Sequence, residues 1–260
     1  MPRIQFFEIH EQPWFPTFLR DEVTGALQFG LNFLDVYAPI ASLLQSALER
    51  AGSRTIVDLC SGGGGPWINL ARQLRGGARP IRIYLTDKFP NLAAFENLRA
   101  ASDDGITFYG KPVDAANVPL ELDGFRTMFT SFHHFPSGEA RAILQNAVAA
   151  GRGIAIFEVT RRAQATIVLM LPWSVLLLFF TPFLRPFRWS RLLFTYLLPV
   201  IPVVMLFDGI VSCLRTYRPE ELLAISAGLG APDYQWEAGE HFGLGQLPIT
   251  YLIGNPPSRV

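Results

Sequence analysis

The chain has 260 residues, and its 22 lysines and arginines balance 22 aspartates and glutamates, so it carries no formal net charge. This balance argues against nucleic acid as a partner, because nothing draws the chain as a whole to a phosphate backbone. Half of the residues are hydrophobic and only 17% are charged, which is more apolar than a typical soluble domain. The length suits one large α/β domain or one domain with an insertion.

The cysteines and the first residues bear on the cellular compartment. Cys60 and Cys213 lie far apart and form no metal-ligand spacing, so we expect neither a disulfide nor a bound metal ion. Met1–Gln5 lack the apolar run of a signal peptide, which indicates a cytoplasmic protein. A long apolar segment, described below, adds the alternative of a peripheral position on the inner face of the membrane.

The N-terminal segment, residues 1–52, is rich in aromatic side chains. Leu31–Arg50 has the apolar spacing of a helix. Two interpretations stay open. The segment is either a helical layer packed over a sheet or a lid over a substrate, and in the second case Trp14 and Tyr37 would be substrate-binding residues.

A glycine-rich turn opens the predicted core, residues 53–160. The β-branched run Thr55–Asp58 ends in an acid and is followed by Leu59-Cys60-Ser61-Gly62-Gly63-Gly64-Gly65-Pro66. Consecutive glycines let a ligand approach the backbone without meeting a Cβ, and the next helix presents unpaired N–H groups. This pattern is typical of a nucleotide-type site, and also of a structural turn with no ligand.

Strands and helices alternate after this turn. The strand Ile81–Thr86 ends in Asp87, a third strand precedes Asp114, and further strands are predicted at Phe125–Ser131 and Gly153–Val159. Such alternation predicts a parallel sheet with helices on both faces and with ligands at the carboxyl ends of the strands.

The C-terminal unit, residues 216–260, has a different order. A helix begins at Pro219, and two strand-like runs follow at about 234–242 and 247–253, joined by Gly243-Leu244-Gly245. A β-hairpin that closes a parallel sheet is unusual for a nicotinamide-binding domain, which makes a nicotinamide-dependent oxidoreductase a poor interpretation.

Together these motifs resemble the class I S-adenosylmethionine-dependent methyltransferases, over about Thr55–Gly254 apart from an insertion. Their D/E-x-G-x-G-x-G motif stands here as Asp58–Gly64, with Cys60 in place of the first glycine. Small residues occur at this position in relatives of the quinone-methylating group. The resemblance implies an α/β fold, a Rossmann-like seven-stranded mostly parallel sheet with a C-terminal antiparallel hairpin, plus a hydrophobic helical insertion.

The same resemblance implies S-adenosyl-L-methionine as the cofactor and assigns its contacts. Asp58 and the Ser61–Gly64 backbone would hold the methionine part, Asp87 would accept hydrogen bonds from the ribose, and Asp114 would face the adenine amine. The expected cofactor-binding residues are Asp58, Cys60, Ser61, Gly62, Gly64, Asp87, Lys88, Asp114, Ala115 and Ser131.

The fourth strand runs into Ser131-Phe132-His133-His134-Phe135-Pro136, which resembles the His-His-hydrophobic-Pro segment of small-molecule methyltransferases. His133 and His134 are candidate catalytic residues, because a histidine can take a proton from an acceptor near neutral pH. The alternative is that both cap the next helix and shape the pocket wall. A base is optional, since methyl transfer from a sulfonium can proceed largely through alignment.

Residues 161–215 form the hydrophobic insertion. Ala163–Leu184 and Leu192–Phe207 carry no charge, and a segment with three arginines separates them. Prolines that interrupt both runs and the positive-inside tendency argue against a spanning hairpin. Three alternatives remain. The insertion either contacts a membrane in its plane through 163–207, with the arginines at headgroups and Trp189 at the interface, or forms a soluble cap over the substrate, or spans the membrane.

Two polar residues at the exit of the insertion, Asp208 and Arg215, either pair with each other or bind the polar head of a substrate. The sequence predicts methyl transfer to a hydrophobic small molecule or lipid, at a phenol- or quinone-like oxygen or carbon. The alternative is a cofactor-binding protein without catalysis, attached to a membrane or partner through the insertion.

Overall fold

A computed structural model describes residues 1–74, 80–102, 105–230, 233–243 and 248–257. Its strands are β1 (Thr55–Asp58), β2 (Arg82–Leu85), β3 (Ile106–Phe108), β4 (Phe125–Phe129), β5 (Ile154–Glu158), β6 (Gln235–His241) and β7 (Ile249–Asn255). They form one seven-stranded sheet in the order β3-β2-β1-β4-β5-β7-β6. The pairs among β1 to β5 are parallel, whereas β7 runs antiparallel to both of its neighbours.

This topology confirms the predicted sheet with its C-terminal hairpin. The register places Thr250 opposite Glu158 of β5 and opposite Glu240 of β6. The predicted linker residues Leu244 and Gly245, and the predicted strand start at Leu247, lie outside the described residues.

Helices cover both faces of the sheet. They are α1 (Thr17–Phe33), α2 (Ala41–Arg50), α3 (Trp67–Leu74), α4 (Leu92–Ala100), α5 (Ser137–Ala149), α6 (Gln164–Phe180), α7 (Trp189–Leu192), α8 (Val200–Arg215) and α9 (Pro219–Ser226). Side chains alternate across a strand, so Ile56 joins the core beneath α2, α3 and α4 while Val57 joins the core beneath α5 and α9. Every residue of β4 and β5 is buried, as expected for central strands.

The helical cap consists of α1 and α6–α8. The buried residues of its hydrophobic core are Phe15, Leu19, Val23, Ala26, Leu177, Leu184, Ile201, Val204 and Met205. The N-terminal segment and the insertion therefore share one hydrophobic core, although they are predicted from the sequence as separate units. Glycine permits the closest approach, since a Cβ on Gly30 would lie 2.3 Å from the ring of Trp173.

Two helix predictions are corrected. Leu31–Arg50 is not one helix, because α1 ends at Phe33 and a 3₁₀ turn with Pro39 precedes α2. Proline has no N–H to continue a helix, but it suits the first turn of a new one. Conversely, α6 continues through Pro172. The carbonyl that this proline leaves without a donor belongs to Val168, whose side chain lies on the exposed side of the helix.

Within the described residues, one helix is long and apolar enough to cross a membrane. It runs over Gln164–Phe183, with a mean hydropathy of 2.0 and only 22% of its apolar window buried. Two further pairs of helices would qualify if each were one span, but they bend by 67° at residues 34–37 and by 73° at residues 198–199.

Candidate functional site

The glycine turn, residues 59–66, connects β1 to α3 with an unusual backbone. Cys60, Gly62, Gly64 and Gly65 have φ values of 56°, 54°, 106° and 53°. A residue with a Cβ in this left-handed region costs roughly 1–2 kcal/mol. Cys60 therefore holds the glycine-like conformation of the residue that it replaces in the motif.

Asp58 holds this turn from inside the protein. Its two carboxylate oxygens accept hydrogen bonds from the hydroxyls of Ser61 and Thr127, each at 2.7 Å. Burial raises the pKa of Asp58 to about 6, although both hydroxyls favour the charged form. The Asp58 side chain is buried and does not reach the surface, so it could affect a bound ligand only indirectly, by fixing the conformation of the glycine turn.

Asp87 joins the turn to the end of β2. Its Oδ2 accepts the Gly62 N–H at 2.8 Å and its Oδ1 accepts the Phe89 N–H at 2.8 Å. A carboxylate has lone pairs left for more donors. A Cβ on Gly62 would meet only Thr24 Cγ2, at 4.0 Å, so the space beside this glycine is open. A half-buried carboxylate next to an open backbone fits the ribose diol of a nucleoside.

Asp114 and its neighbours lie one strand further along the same edge. The Val113 N–H donates to the carbonyl of Asp87 at 2.9 Å, which ties the Asp114 loop to the end of β2. Asp114 is exposed, with Lys88 Nζ 3.5 Å from its Oδ2, whereas Ala115 is buried. The fold thus places the three strand-end acids along neighbouring strands, as the alternating pattern predicted.

Helix α1 covers the glycine turn. Asn32 Nδ2 donates to the Gly65 carbonyl at 2.9 Å. A Cβ on Gly63 would lie 2.8 Å from the Thr24 carbonyl oxygen, and one on Gly64 would lie 2.8 Å from Gln28 Nε2. The backbone of α1 therefore leaves no room for a Cβ at Gly63, and Gln28 and Leu98 crowd the position at Gly64, while the space beside Gly62 stays open.

The two aromatic candidates for substrate binding lie apart. Tyr37 is buried beside Phe129, and its hydroxyl bonds Thr130 Oγ1 and donates to the Phe157 carbonyl. Because Tyr37 is buried in the core, it is not accessible to a substrate, and its prediction as a substrate-binding residue is corrected. Trp14 is 67% exposed and packs against Phe15 at the edge of the helical cap.

Glu158 organises the turn after β4 that carries the two histidines. Its Oε1 accepts the backbone N–H groups of Ser131, Phe132 and His133, and its Oε2 lies 2.7 Å from His133 Nδ1. Burial lowers the pKa of His133, but the carboxylates outweigh it and raise the pKa to about 9. His133 is therefore an imidazolium near neutral pH and cannot accept a proton in this state.

The N-terminal segment brings further acids to the same place. Glu8 is buried, with Oε1 3.5 Å from His133 Nε2 and 3.3 Å from Arg215 Nη1. Burial raises the pKa of Glu8, but the surrounding histidines outweigh this effect and hold the pKa far below its usual range. Glu11 Oε1 lies 2.5 Å from His134 Nδ1.

Asp208 and Arg215 do not pair with each other. Asp208 accepts the N–H groups of Ile9 and His10 at 2.7 and 3.1 Å, and lies 2.8 Å from His10 Nδ1. Arg215 donates to the carbonyls of His133 and His134 and to Glu11 Oε2. Both residues of α8 therefore fasten the N-terminal segment over the end of β4.

We call this assembly the carboxylate–histidine cluster; its members are Glu8, His10, Glu11, His133, His134, Glu158, Asp208 and Arg215. Sequence reasoning missed four of them. Glu158 ends its strand as Asp58 does, so the strand-end signal was present. For Glu8, His10 and Glu11 the only signal was polarity within an aromatic segment.

A separate cavity of about 460 Å³ lies beyond β5, next to the start of α9. Arg161, Arg162 and Arg218 line it. Arg161 is bound by Glu240 at 2.6 Å and Arg162 by Glu221 at 2.5 Å. Because two of its three arginines have carboxylate partners, this cavity attracts anions only weakly.

Comparisons with known proteins identify the fold. No protein-family model matches the chain, and neither does any curated protein sequence. A SAM-dependent methyltransferase from Aquifex aeolicus aligns with TM-score 0.54 and 13% identity, over 90% of this chain and 97% of that one. An O-methyltransferase family protein from Burkholderia thailandensis aligns with TM-score 0.52 and 17% identity, over 91% and 60%.

A putative O-methyltransferase from Nostoc punctiforme gives TM-score 0.52 and 14% identity, over 97% of this chain and 64% of that one. The chain thus spans less than two thirds of the length of the Burkholderia and Nostoc proteins. At these identities the likeness concerns the fold. The strand order, the antiparallel last strand and these alignments agree: the chain has the class I methyltransferase fold.

Proposed function

We propose that this protein transfers a methyl group from S-adenosyl-L-methionine to a hydrophobic small molecule or lipid, with a phenol- or quinone-like oxygen or carbon as the favoured acceptor. The observation that carries the proposal is the arrangement of Asp87, the open face of Gly62 and Asp114 along the carboxyl ends of β1, β2 and β3. In open α/β sheets, ligands bind at this edge.

The residues present fit this cofactor. The backbone of Ser61–Gly64 would hold its methionine part, Asp87 its ribose, and Asp114 with Ala115 its adenine. Ser131 Oγ is buried at the end of β4 and has no hydrogen-bond partner among the described residues, as expected of a group that meets a ligand. When bound, the cofactor supplies a sulfonium whose methyl group is attacked by a nucleophile.

The chain's own residues would act mainly by positioning the acceptor. Glu158 fixes the turn that carries His133 and His134, and the N-terminal segment closes over it. We infer that these histidines shape the acceptor wall, and that alignment supplies most of the rate. Because His133 is already protonated, the proposal gives it no role as a general base.

We also propose that the helical cap contacts the cytoplasmic face of a membrane. Large apolar side chains recur along one face of α6 and remain exposed: Val168, Leu171, Val175 and Phe179. Trp189, in α7 of the same cap, is also exposed. An apolar face of this kind fits a lipid surface better than water.

The arginines of the insertion contribute less to this contact than the sequence indicates. Arg191 is buried on Glu22, and Arg188 lies 3.2 Å from the same carboxylate. The expectation that all three arginines reach headgroups is therefore corrected. Arg185 alone among them is exposed without an ion-pair partner in the described part of the chain, so we expect contact to be mainly apolar and weakly salt-dependent.

Two experiments test these proposals. Purified protein, labelled cofactor and a lipid extract should give a labelled lipid-soluble product. Cofactor binding without any product would instead support the alternative, a non-catalytic cofactor-binding protein. In liposome flotation, Val168→Glu/Phe179→Glu should lose binding while Leu120→Glu, which changes an exposed leucine outside the cap, keeps it. Equal flotation of both variants would refute membrane contact through α6.

A further inference from the structure

Glu8, His10 and His134 form a group of metal-binding side chains within the carboxylate–histidine cluster. One ligand atom from each lies within 4.8 Å of the others. Glu8 Oε2 is 3.6 Å from His10 Nδ1 and 3.6 Å from His134 Nδ1. A tetrahedral metal ion with bonds of about 2.0–2.2 Å holds its ligand atoms roughly 3.4 Å apart. The observed spacing needs only small side-chain movements to reach this value.

Two more carboxylates surround the same point. Asp208 Oδ2 lies 2.8 Å from His10 Nδ1, and Glu11 Oε1 lies 2.5 Å from His134 Nδ1. Both carboxylates contact the Nδ1 atom that would bind the ion, so they can only join the coordination sphere and cannot orient the ring through its other nitrogen. The group therefore offers up to five oxygen and nitrogen donors, contributed by an N-terminal segment, the turn after β4 and α8.

The charge balance also favours a cation. Two positive charges, those of Arg215 and the imidazolium of His133, face four carboxylates, those of Glu8, Glu11, Glu158 and Asp208. With His10 and His134 neutral, as metal ligands must be, this leaves a charge of about −2 in a partly buried site, which a divalent ion would compensate. His133 Nε2 is buried, points toward Glu8 Oε1 at 3.5 Å, and has no hydrogen-bond partner among the described residues.

We propose that Glu8, His10 and His134 bind one divalent transition-metal ion, with Glu11 and Asp208 as additional ligands. Two imidazoles with carboxylates suit Zn²⁺, Fe²⁺ or Mn²⁺ and leave a position open for water or a substrate oxygen. The proposal differs from the sequence-based expectation of no bound metal, which rested only on the spacing of the two cysteines. It does not depend on methyl transfer, because it rests on residues separate from those assigned to the cofactor.

The position of the site gives it a role if the proposed function holds. His134 belongs to the turn after β4, beside the glycine turn of β1. A metal ion at this point would lie on the acceptor side of the carboxyl edge. A phenol- or quinone-like oxygen is a suitable ligand for its open position, so the metal would orient the acceptor.

The test uses the full chain after chelator treatment. Zn²⁺ titrated by calorimetry should bind at one ion per chain. His10→Ala and His134→Ala should each lose more affinity than the roughly 10–100-fold typical of a supporting hydrogen-bond partner. His241 lies in β6 and is the one histidine of the chain outside the cluster, so His241→Ala should bind Zn²⁺ as the wild type does.

Co²⁺ distinguishes this site from adventitious binding at Cys60 or Cys213. The wild-type Co²⁺ complex should show the visible bands of nitrogen and oxygen ligands, without a thiolate charge-transfer band. Glu8 is buried and its replacement can prevent folding, so the partly exposed histidines carry the test, with their unfolding midpoints as the folding control. No stoichiometric Zn²⁺ binding, wild-type affinity in both histidine variants, or a thiolate band would each overturn the proposal.

Discussion

The carboxyl edge of the sheet and the helical cap each bury an acid, but they stabilise it differently. Asp58 is held by the hydroxyls of Ser61 and Thr127, and its pKa rises to about 6. Glu22 in the cap is held by the guanidinium groups of Arg188 and Arg191. The edge thus surrounds its acid with neutral donors, whereas the cap surrounds its acid with cations. The two regions should therefore respond differently to substitution.

Arg191→Met should produce the largest loss of stability, in the cap. The substitution leaves the buried carboxylate of Glu22 with the partly exposed Arg188 as its remaining partner, and it removes the hydrogen bonds of Arg191 to two carbonyls. Breaking a buried ion pair costs about 3–5 kcal/mol, and Arg188 should keep this loss at the lower end. Glu22→Met/Arg191→Met removes both charges and should recover part of this loss. Denaturant unfolding measures both.

Arg161→Met is the matched control, because its pair with Glu240 is more than a quarter exposed on both sides. It should cost at most about 1 kcal/mol. Equal losses for Arg161→Met and Arg191→Met would show that the Glu22–Arg191 pair is no more buried in solution than the Arg161–Glu240 pair.

The second prediction concerns Asp58 and pH. Its folded-state pKa of about 6 exceeds the ordinary value of 3.8, so folding favours the protonated acid. Its contribution to stability is therefore fully present below about pH 4 and falls by about 3 kcal/mol as pH rises through 6. The unfolding free energy of the wild type relative to Asp58→Asn, measured without ligand from pH 4 to 8, should follow this change. A pH-independent difference would contradict the buried, hydroxyl-bound carboxyl.

How well the sequence predicts these regions depends on how far apart two interacting residues lie along the chain. Asp58 and Ser61 are three residues apart, and the strand-end acids follow apolar runs, so local patterns revealed the glycine turn and the sheet. Glu22 and Arg191 are 169 residues apart, and no local pattern links them. Asp208 and Arg215 were natural partners by proximity in sequence, yet both bind the N-terminal segment instead.

Asp87→Ala tests the ligand side of the carboxyl edge. Each charge-assisted hydrogen bond to the ribose is worth about 1.5–3 kcal/mol, so affinity for S-adenosylhomocysteine should fall by roughly 10–150-fold. Calorimetry measures it. Asp123→Ala, at the opposite edge and paired with Arg152, should bind as the wild type does. Because Asp87 also accepts the Gly62 N–H, the unfolding midpoint without ligand shows whether the turn itself survives.

Gly30→Ala tests the packing of the cap. A Cβ at this position would lie 2.3 Å from Trp173, and overpacking of this kind typically costs about 1–3 kcal/mol. Gly25→Ala, on the same helix with nothing within 4 Å of the added Cβ, should gain up to about 1 kcal/mol from helix propensity. Similar unfolding free energies for the two variants would mean that α1 and α6 are not in close contact.

Cys60→Gly should have the smallest effect and the opposite sign. Glycine relieves the left-handed backbone at φ 56°, a gain of roughly 1–2 kcal/mol. The greater freedom of glycine in the unfolded chain offsets about 0.4–1 kcal/mol of it. The variant should therefore be slightly more stable than the wild type in denaturant unfolding. Cys60→Ala keeps the Cβ and should show no such gain. A glycine variant less stable than the alanine variant would show that the left-handed backbone at this position stores no strain that glycine relieves.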